Sequence, residues 1–169
     1  RAKLARRNRG ALTDAAGTAL NDIDRRILRE LQANGRLTNT ELSERVHLSA
    51  TATNERVKRL TRDGFIIGYT ALLSPEKLGR ALLLFVEVKL ERTTPDVFDA
   101  FAAAIRRTPD VLECHLIAGG FDYLVKARVA DMSAYRQFLS DLLTAVPGIR
   151  ETRTYTVMEE VKDTTNLPI

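Results

Sequence analysis

Residues 38–62 read TNTELSERVHLSATATNERVKRLTR, and this stretch decides the fold of the first half of the chain. Thr38 and Glu41 are spaced as in a capping box, in which both side chains bond the free amides that open a helix. Residues 47–49 interrupt that helix after about two turns, and Ser49 can cap a second helix. A short helix, a tight turn and a longer basic helix are typical of the helix-turn-helix, whose second helix enters the DNA major groove.

The second helix of this motif has an apolar side and a polar side. Thr53 through its methyl group, Val57 and Leu60 recur at helical spacing and predict the buried side. Each residue advances by about 100 degrees, which locates the opposite side. That side could be an ordinary solvated helix face, but the preceding turn favours DNA binding. We expect base contacts from Thr51, Asn54, Glu55 and Lys58, and phosphate contacts from Arg45, Ser49, Arg59 and Arg62.

The distribution of charge supports a nucleic-acid partner for the first part of the chain. The 169 residues carry a net charge of +4. Residues 1–65 hold 14 Lys and Arg against 8 Asp and Glu, a net charge of +6, whereas residues 66–169 have a net charge of −2. The positive charge therefore lies with the helix-turn-helix, as binding to phosphates requires. We expect double-stranded DNA to be the partner.

The lengths of the apolar runs and the cysteine count exclude a membrane protein and a protein stabilised by disulfides. No apolar run approaches the roughly 18 residues that cross a bilayer, and the basic amino end lacks the apolar core of a signal peptide. The single cysteine, Cys114, cannot form an internal disulfide and fits a reducing compartment. We therefore expect a soluble cytoplasmic protein with no membrane partner.

The first part of the chain is expected to contain an arm, a three-helix domain and a linker. Residues 1–20 mix four arginines and a lysine with small residues, which predicts a flexible basic arm; it either reaches DNA phosphates or is a solvated tail. Asn21 or Asp22 can cap a first helix that runs to Asn34. We place the winged helix-turn-helix domain at 21–73, with a strand, a wing or a connector at 69–73, and the linker at 74–79.

Strand and helix patterns alternate through residues 80–169. The order is βαββαβ, with strands at 81–90, 111–118, 121–129 and 149–161, and helices at 95–107 and from 132 to the break at 147–148. Gly119 and Gly120 have the form of a two-residue hairpin turn. This order predicts an α+β fold of the ferredoxin-like kind, a four-stranded antiparallel sheet with both helices on one face.

The uncovered face of that sheet predicts self-association. It carries Leu, Phe, Val and Tyr side chains, more apolar surface than a monomer of this size should leave in water. Pairing two sheets into a dimer would bury this surface and place two DNA-binding units in one particle. Two-fold symmetry then predicts a roughly palindromic DNA site, with recognition helices about 34 Å apart or a multiple of that.

An enzyme is the competing class, because the ferredoxin-like fold hosts many activities. His47 and His115 are far apart in the chain, and neither belongs to a metal-binding or nucleophile pattern. Cys114 and His115 are neighbours on a strand, so their side chains point to opposite faces. Gly119 and Gly120 lack the spacing of a dinucleotide-binding loop. We therefore expect no catalytic residues, no metal and no cofactor.

With both halves placed, the chain resembles the Lrp/AsnC family of feast/famine transcription regulators from about Leu20 to Val161. The blocks that match include IDRRILRELQANGR, ELSERVHLS, ERVKRL, GFIIGYTALL, FDYLVKARV and TRTYTVMEEVK. The resemblance implies a ligand-binding and oligomerisation domain at 80–169, of the type known as RAM, and dimers that assemble into octamers. It also implies an amino-acid effector, leucine or another such as proline, held between dimers and controlling genes of amino-acid metabolism.

Family positions can be carried over to this chain one by one. The resemblance implies an effector response from Leu116, Asp122, Met132, Tyr155, Thr156 and Val157. Asp122 is a suitable partner for an α-ammonium group, and the backbone amides of Gly119 and Gly120 could receive an α-carboxylate. Asp122 could instead bond its own turn, and Met132 and Tyr155 could equally be core residues. His47 stands where relatives have glycine, and His tolerates the left-handed backbone better than most residues.

Two further alternatives concern function. The protein could be an oligomeric amino-acid-binding sensor, or a nucleoid-architectural DNA binder without effector control. The basic helix-turn-helix disfavours the sensor, because a sensor without DNA would need no basic face there.

Overall fold

The computed structural model describes residues 20–146 and 148–169. The expectation of a basic arm therefore falls almost entirely outside the described residues. The chain divides into two compact units. The helical unit contains the described residues through Ala71 together with Thr164–Ile169, and the sheet unit is Leu72–Asp163.

Three helices form the helical unit: α1 (Asp22–Ala33), α2 (Asn39–Val46) and α3 (Ala50–Arg62). Each begins with a side-chain cap, in which Asn21, Thr38 and Ser49 accept hydrogen bonds from backbone amides of the first turn. The predicted capping box at Thr38 is confirmed, because the Thr38 amide donates to Glu41 Oε2 at 2.7 Å and the Glu41 amide donates to Thr38 Oγ1 at 3.2 Å.

The turn between α2 and α3 is the predicted one. His47 adopts the left-handed conformation, with φ 56° and ψ 48°. The Leu48 amide donates to the Ser43 carbonyl at 3.0 Å, and α3 begins directly after Ser49. His47 thus supplies the positive φ that reverses the chain, where glycine would supply it without a steric cost.

The core of the helical unit is small and includes the end of the chain. Its buried apolar residues are Leu20, Ile27, Leu28, Leu42, Val46, Leu60 and Ile66. Ile169 packs against this cluster. The amide side chain of Gln32 on α1 bonds both backbone groups of Leu167, at 2.7 and 3.1 Å. Thr164–Ile169 therefore contact α1, whereas the sequence assigned them to the second domain.

Of the three alternatives for residues 69–73, the structure shows a connector. Residues 66–74 form no strand, because a strand requires a hydrogen-bonding neighbour and no described residue provides one there. The predicted linker at 74–79 follows and forms a turn, closed by the Arg80 amide donating to the Pro75 carbonyl at 2.7 Å. Leu72 and Leu73 remain exposed.

The sheet unit has the predicted α+β order. Its elements are β1 (Leu82–Leu90), α4 (Pro95–Ile105), β2 (Val111–Leu116), β3 (Tyr123–Val129), α5 (Met132–Ala145) and β4 (Ile149–Thr156). The strands form one antiparallel sheet in the order β2-β3-β1-β4, which is the ferredoxin-like order. Alternate β1 residues from Leu84 to Leu90 are buried against Phe101 of α4 and Phe138 of α5. The last strand is shorter than predicted and ends at Thr156.

The predicted two-residue hairpin at Gly119 and Gly120 is wrong. Residues 117–122 connect β2 to β3, closed by the Ile117 amide donating to the Asp122 carbonyl at 2.8 Å. The two-residue turns that join hairpin strands need positive φ, and neither Gly119 nor Gly120 has it. The Asp122 amide donates instead to the Val88 carbonyl on β1 at 3.0 Å, so contact with β1 sets the end of the loop.

The face of the sheet opposite the helices, here called the open face, is more charged than predicted. Its apolar residues include Leu83, Phe85 and Tyr155, with Phe85 paired to Tyr155 across β1 and β4. Charged residues interrupt them on all four strands: Glu87, Lys89, Glu113, Lys126, Arg128, Glu151 and Arg153. Leu83 and Arg128 are buried, and the rest of the open face is a mixed surface of apolar residues and charges of both signs.

Candidate DNA-binding and effector sites

The outward side of α3 presents the polar residues that the sequence placed there. Thr51, Glu55, Lys58 and Arg62 are all exposed. Lys58 Nζ lies 3.3 Å from Glu55 Oε1, with both side chains about two-thirds exposed, at 65% and 67%. A pair this exposed is worth at most about 1 kcal/mol. Lys58 and Glu55 can therefore break this contact at little cost and bind DNA instead.

Two of the expected phosphate ligands are exposed and have partly buried acidic neighbours. Arg45 Nη1 lies 3.0 Å from Glu30 Oε2, and Arg62 Nε lies 3.0 Å from Asp63 Oδ1. Ser49 accepts from the Ala52 amide at 3.2 Å and so caps α3, while its hydroxyl hydrogen stays available for donation.

Asn54 has a partner that the sequence did not indicate. Asn39, the first residue of α2, donates from Nδ2 to Asn54 Oδ1 at 3.2 Å. Asn54 is half-buried at the edge of the outward side of α3. With its oxygen engaged, Asn54 presents its two N–H donors, which suit the acceptors on purine edges and on thymine.

Arg59 does not point away from the protein as a phosphate ligand should. Its Nη2 lies 2.6 Å from Asp24 Oδ2, and Arg56 Nη1 lies 2.9 Å from Asp24 Oδ1. Asp24 is only 1% exposed. Arg59 therefore has a buried anionic partner within the unit, unlike the exposed pairs of Lys58, Arg45 and Arg62.

Sequence reasoning missed Asp24 and Arg56, although a signal for them exists. Asp24 lies at helical spacing from Ile27, Leu28 and Leu31, on the apolar stripe of α1. A carboxylate on a stripe that becomes buried requires a cation, because an unpaired buried charge is very costly. Arg56, beside the buried side of α3, is the kind of residue that such a carboxylate needs.

The expected effector residues lie in two groups at opposite ends of the sheet, one beside Val88 of β1 and the other beside Leu82 and Leu84. Leu116 ends β2, Gly119 and Gly120 lie in the 117–122 loop, Met132 begins α5, and Tyr155, Thr156 and Val157 lie at the end of β4 or just after it. Leu116, Met132 and Tyr155 are 62%, 54% and 50% exposed. Met132 and Tyr155 are therefore surface residues of this chain, and the alternative that they are core residues is wrong.

The Asp122 carboxylate bonds the backbone of β1 and not its own turn. Its Oδ2 accepts from the Leu90 amide at 2.7 Å, at the point where the register between β1 and β4 shifts. The Asp122 carboxylate thus supplies the acceptor that the irregular strand end lacks. A ligand at this residue would meet a carboxylate that already has one strong partner.

A small cavity lies beside the loop. It has a volume of about 80 Å³ and is lined by Glu87, Lys89, Gly120, Phe121, Glu151 and Arg153. Its charges of both signs suit a zwitterion, but Gly120 alone among the eight expected effector residues lines it. Val157 lines a different cavity of about 410 Å³. These two cavities therefore do not bring the expected effector residues together.

Two neighbouring residues of β2, Cys114 and His115, have side chains that are common in catalytic and metal sites. Cys114 packs against the core, and burial raises the pKa of its thiol to about 11. His115 points away from the core, and its Nε2 lies 3.2 Å from Glu113 Oε2. No group of three or more His, Cys, Asp and Glu residues is placed to hold a metal ion, and no helix there is long and apolar enough to cross a membrane.

Two family models match the chain, one for each unit. A model described as Lrp/AsnC ligand binding domain matches residues 83–167, and one described as winged helix-turn-helix DNA-binding matches residues 20–67. The chain is 56% identical over 153 residues to leucine-responsive regulatory proteins of Escherichia coli strain K12 and Salmonella typhimurium. These matches cover 90% of this chain and 93% of each relative.

The chain is also similar to solved structures of transcription regulators. A transcriptional regulator from Neisseria meningitidis in complex with L-Met is 42% identical, with a TM-score of 0.84 and coverage of 89% of this chain and 97% of that chain. The leucine response regulatory protein of Mycobacterium tuberculosis is 34% identical, with a TM-score of 0.72 and coverage of 85% and 96%.

Proposed function

This chain belongs to the Lrp/AsnC family of transcription regulators, and we propose that it controls genes of amino-acid metabolism according to the amino acid bound between its dimers. It is a helix-turn-helix DNA-binding regulator that an amino acid modulates, and its relatives are regulators and not enzymes. The DNA-reading residues, the effector site and the assembly are specified below.

The exposed polar side of α3 carries the proposal for DNA binding. Thr51, Asn54, Glu55 and Lys58 face base edges in the major groove. Arg45, Ser49 and Arg62 hold phosphates, and their intramolecular contacts are exposed enough to give way. Arg59 is left out of this set because buried Asp24 holds it.

For the effector we propose leucine first and methionine second. Curated relatives are named as leucine-responsive, and the Neisseria regulator was solved with L-Met. The exposed apolar side chains of Leu116, Met132 and Tyr155 suit an apolar amino-acid side chain. The amides of Gly119 and Gly120 would receive the carboxylate of the amino acid. Asp122, Thr156 and Val157 are the remaining residues of the proposed effector site. Proline is the further candidate.

The assembly we propose is a homodimer that builds an octamer. The open face supports a dimer because it combines apolar residues such as Phe85 with charges of both signs, which a two-fold partner can match. Such a particle would act in the bacterial cytoplasm, on nucleoid DNA. Sedimentation at micromolar concentration tests this directly, since a monomer would contradict it.

Lys58→Ala tests the DNA-binding side of α3. We expect weaker binding to all duplexes, and a slope of log affinity against log salt that is smaller by about 1. Lys77→Ala is the matched control, because Lys77 is an exposed lysine in the turn after the connector. Fluorescence anisotropy with a labelled duplex across a salt series measures both effects. Equal affinities and slopes for Lys58→Ala and wild type would refute the proposed orientation of α3.

Effector control has a separate test. Leucine, methionine, proline and the other amino acids are added to the protein, and DNA affinity and oligomer distribution are measured for each. An effector must bind one state more tightly than another, so at least one of these two quantities should shift. A panel without any shift would favour the alternative of an architectural DNA binder.

A further inference from the structure

We propose that Asp24 is a positioning residue for DNA recognition, because it fixes the rotation of α3 about its own axis and withholds two arginines from DNA phosphates. Asp24, Arg56 and Arg59 are here called the Asp24 clamp. The inference rests on the proposed function of α3 as the DNA-reading helix. It assigns a DNA-related function to a residue of α1 that faces away from DNA.

The geometry of the clamp is that of one carboxylate shared by two guanidinium groups. Asp24 Oδ1 lies 2.9 Å from Arg56 Nη1, and Oδ2 lies 2.6 Å from Arg59 Nη2. The Asn21 amide also donates to Oδ2, at 3.4 Å, within the capping box of α1. Both oxygens of a buried carboxylate are thus used, and each of the two arginines comes from α3.

Stability alone does not require this arrangement. A well-packed apolar residue in place of a buried ion pair often leaves a protein equally stable or more stable. Apolar contacts have no preferred direction, whereas hydrogen bonds to a planar carboxylate weaken steeply when they are misaligned. The clamp therefore adds direction to the contact between α1 and α3.

A second polar contact lies on the other flank of α3. Taking Thr53 as the buried direction and about 100° per residue, Arg56 and Arg59 lie about 60° and 120° to one side, and Asn54 lies about 100° to the other. Asn54 accepts from Asn39 of α2 at 3.2 Å. The exposed arc between the flanks carries the proposed base-reading side chains. Polar contacts on both flanks leave α3 little freedom to roll.

A small roll would matter for recognition. Side-chain ends lie about 5–6 Å from a helix axis, so a rotation of 20° displaces them by about 2 Å. Hydrogen bonds to base edges do not tolerate a displacement of that size. Contacts to phosphates from long, flexible arginines tolerate it better and carry no sequence information. Loss of the clamp should therefore cost specific binding more than non-specific binding.

The clamp also limits non-specific attraction. Arg56 and Arg59 are about one-third exposed, at 29% and 32%, so either could reach a phosphate once released. Replacing Asp24 removes a negative charge and frees two cations at the edge of the DNA-binding side. Non-specific affinity should rise, and its salt slope should steepen.

The experiment compares Asp24→Leu and Asp24→Asn with wild type as full-length protein. Wild-type protein first selects a preferred duplex from a random library, and a shuffled duplex of equal length serves as the non-specific probe. Leu places an apolar side chain at the buried site, and Asn keeps the shape of the side chain without its charge. We expect the ratio of specific to non-specific affinity to fall at least about 10-fold in each variant. Circular dichroism shows whether each variant is folded.

Asp22→Asn is the matched control, because it makes the same chemical change on the exposed first turn of α1. It should raise affinity for both duplexes slightly and leave their ratio unchanged. A folded Asp24→Leu variant that keeps the wild-type ratio would overturn the proposal. Wild-type protein that binds no duplex would instead refute the proposed function itself, so the two failures are distinguishable.

Arg59→Gln keeps the proposal testable if both Asp24 variants fail to fold. The clamp holds Arg59 away from phosphates, so this change should leave the salt slope on the shuffled duplex unchanged while it lowers the ratio between duplexes. Lys58→Ala should lower the slope by about 1. A slope reduced by Arg59→Gln to the same extent would show that Arg59 is an ordinary phosphate ligand, and the clamp would be refuted.

Discussion

The two units of this chain are stabilised in different ways. Among the described residues, the core of the sheet unit has fourteen buried apolar residues and the core of the helical unit has seven. Of the four buried polar residues of the described chain, Asp24, Ser43 and Thr53 lie in the helical unit and only Arg128 in the sheet unit. The helical unit therefore depends more on directional polar contacts, and the sheet unit depends more on volume and packing.

This difference matches what each unit does. A DNA-reading helix needs a defined rotation and a defined start, and caps and ion pairs specify both. A ligand-binding scaffold needs a rigid sheet, which an interdigitated apolar core provides. Substitutions in the two units should therefore destabilise the protein in different ways.

The largest effect is expected from Phe101→Ala in the sheet unit. Phe101 is fully buried and stacks on Tyr123, with ring centroids 4.0 Å apart. Removing this ring should lower the free energy of unfolding by about 3–5 kcal/mol, because a cavity remains in a close-packed core. Chemical denaturation measures the loss. Leu112→Ala, at a half-exposed position on β2, is the control. A comparable loss of stability in Leu112→Ala would contradict the dependence of the sheet unit on its packed core.

A smaller effect is expected from Thr38→Ala in the helical unit. The substitution removes the cap of α2 and should cost about 1 kcal/mol. Thr40→Ala, one residue inside the same helix, shortens the same side chain without removing a cap. Thermal unfolding of both variants should show a lower midpoint for Thr38→Ala alone. Equal midpoints would mean that the cap at Thr38 contributes little to the stability of the helical unit.

The capping box also predicts that the stability of the helical unit depends on pH. Hydrogen bonds from the Thr38 amide and hydroxyl hold the pKa of Glu41 below its ordinary value. A carboxyl whose pKa is lowered by folding stabilises the protein above its unfolded pKa, and that contribution disappears as pH falls through the folded value. The difference between wild type and Thr38→Ala should therefore shrink in acid. A difference that stays constant to pH 3 would exclude the Glu41 carboxylate as a contributor.

The reactivity of Cys114 probes the sheet unit in the wild-type protein, where no substitution changes stability. Because burial raises its pKa to about 11, its thiolate is scarce at pH 8. Iodoacetamide should modify the native thiol about 100-fold more slowly than the thiol of the urea-unfolded chain. Mass spectrometry follows both reactions. Similar rates would show that the sheet core opens readily, contrary to the packing described above.

Local patterns predicted much of the structure. The caps at Thr38 and Ser49, the left-handed turn at His47 and the βαββαβ order all follow from residues close together in sequence. The hairpin at Gly119 and Gly120 was wrong because contacts of Asp122 with β1 set the end of that loop. Arg59 has the charge of a phosphate ligand, and its pairing with Asp24 is visible only in the folded chain.

The order of the helices and strands, the helix-turn-helix and the class of protein follow from the residue pattern. These depend on interactions over three or four residues and on motifs that lie in one continuous stretch. Tertiary structure alone decided the partners of Asp24, Asp122 and Leu167, which bond residues 32, 32 and 135 positions away. The physical reason is that such partners depend on how elements pack, and helical or strand periodicity carries no information about packing across that distance. The side chains that bond α3 to α1 are therefore visible only in the folded chain, while the side chains that we propose for DNA contact lie on a helix face that residues 38–62 already define.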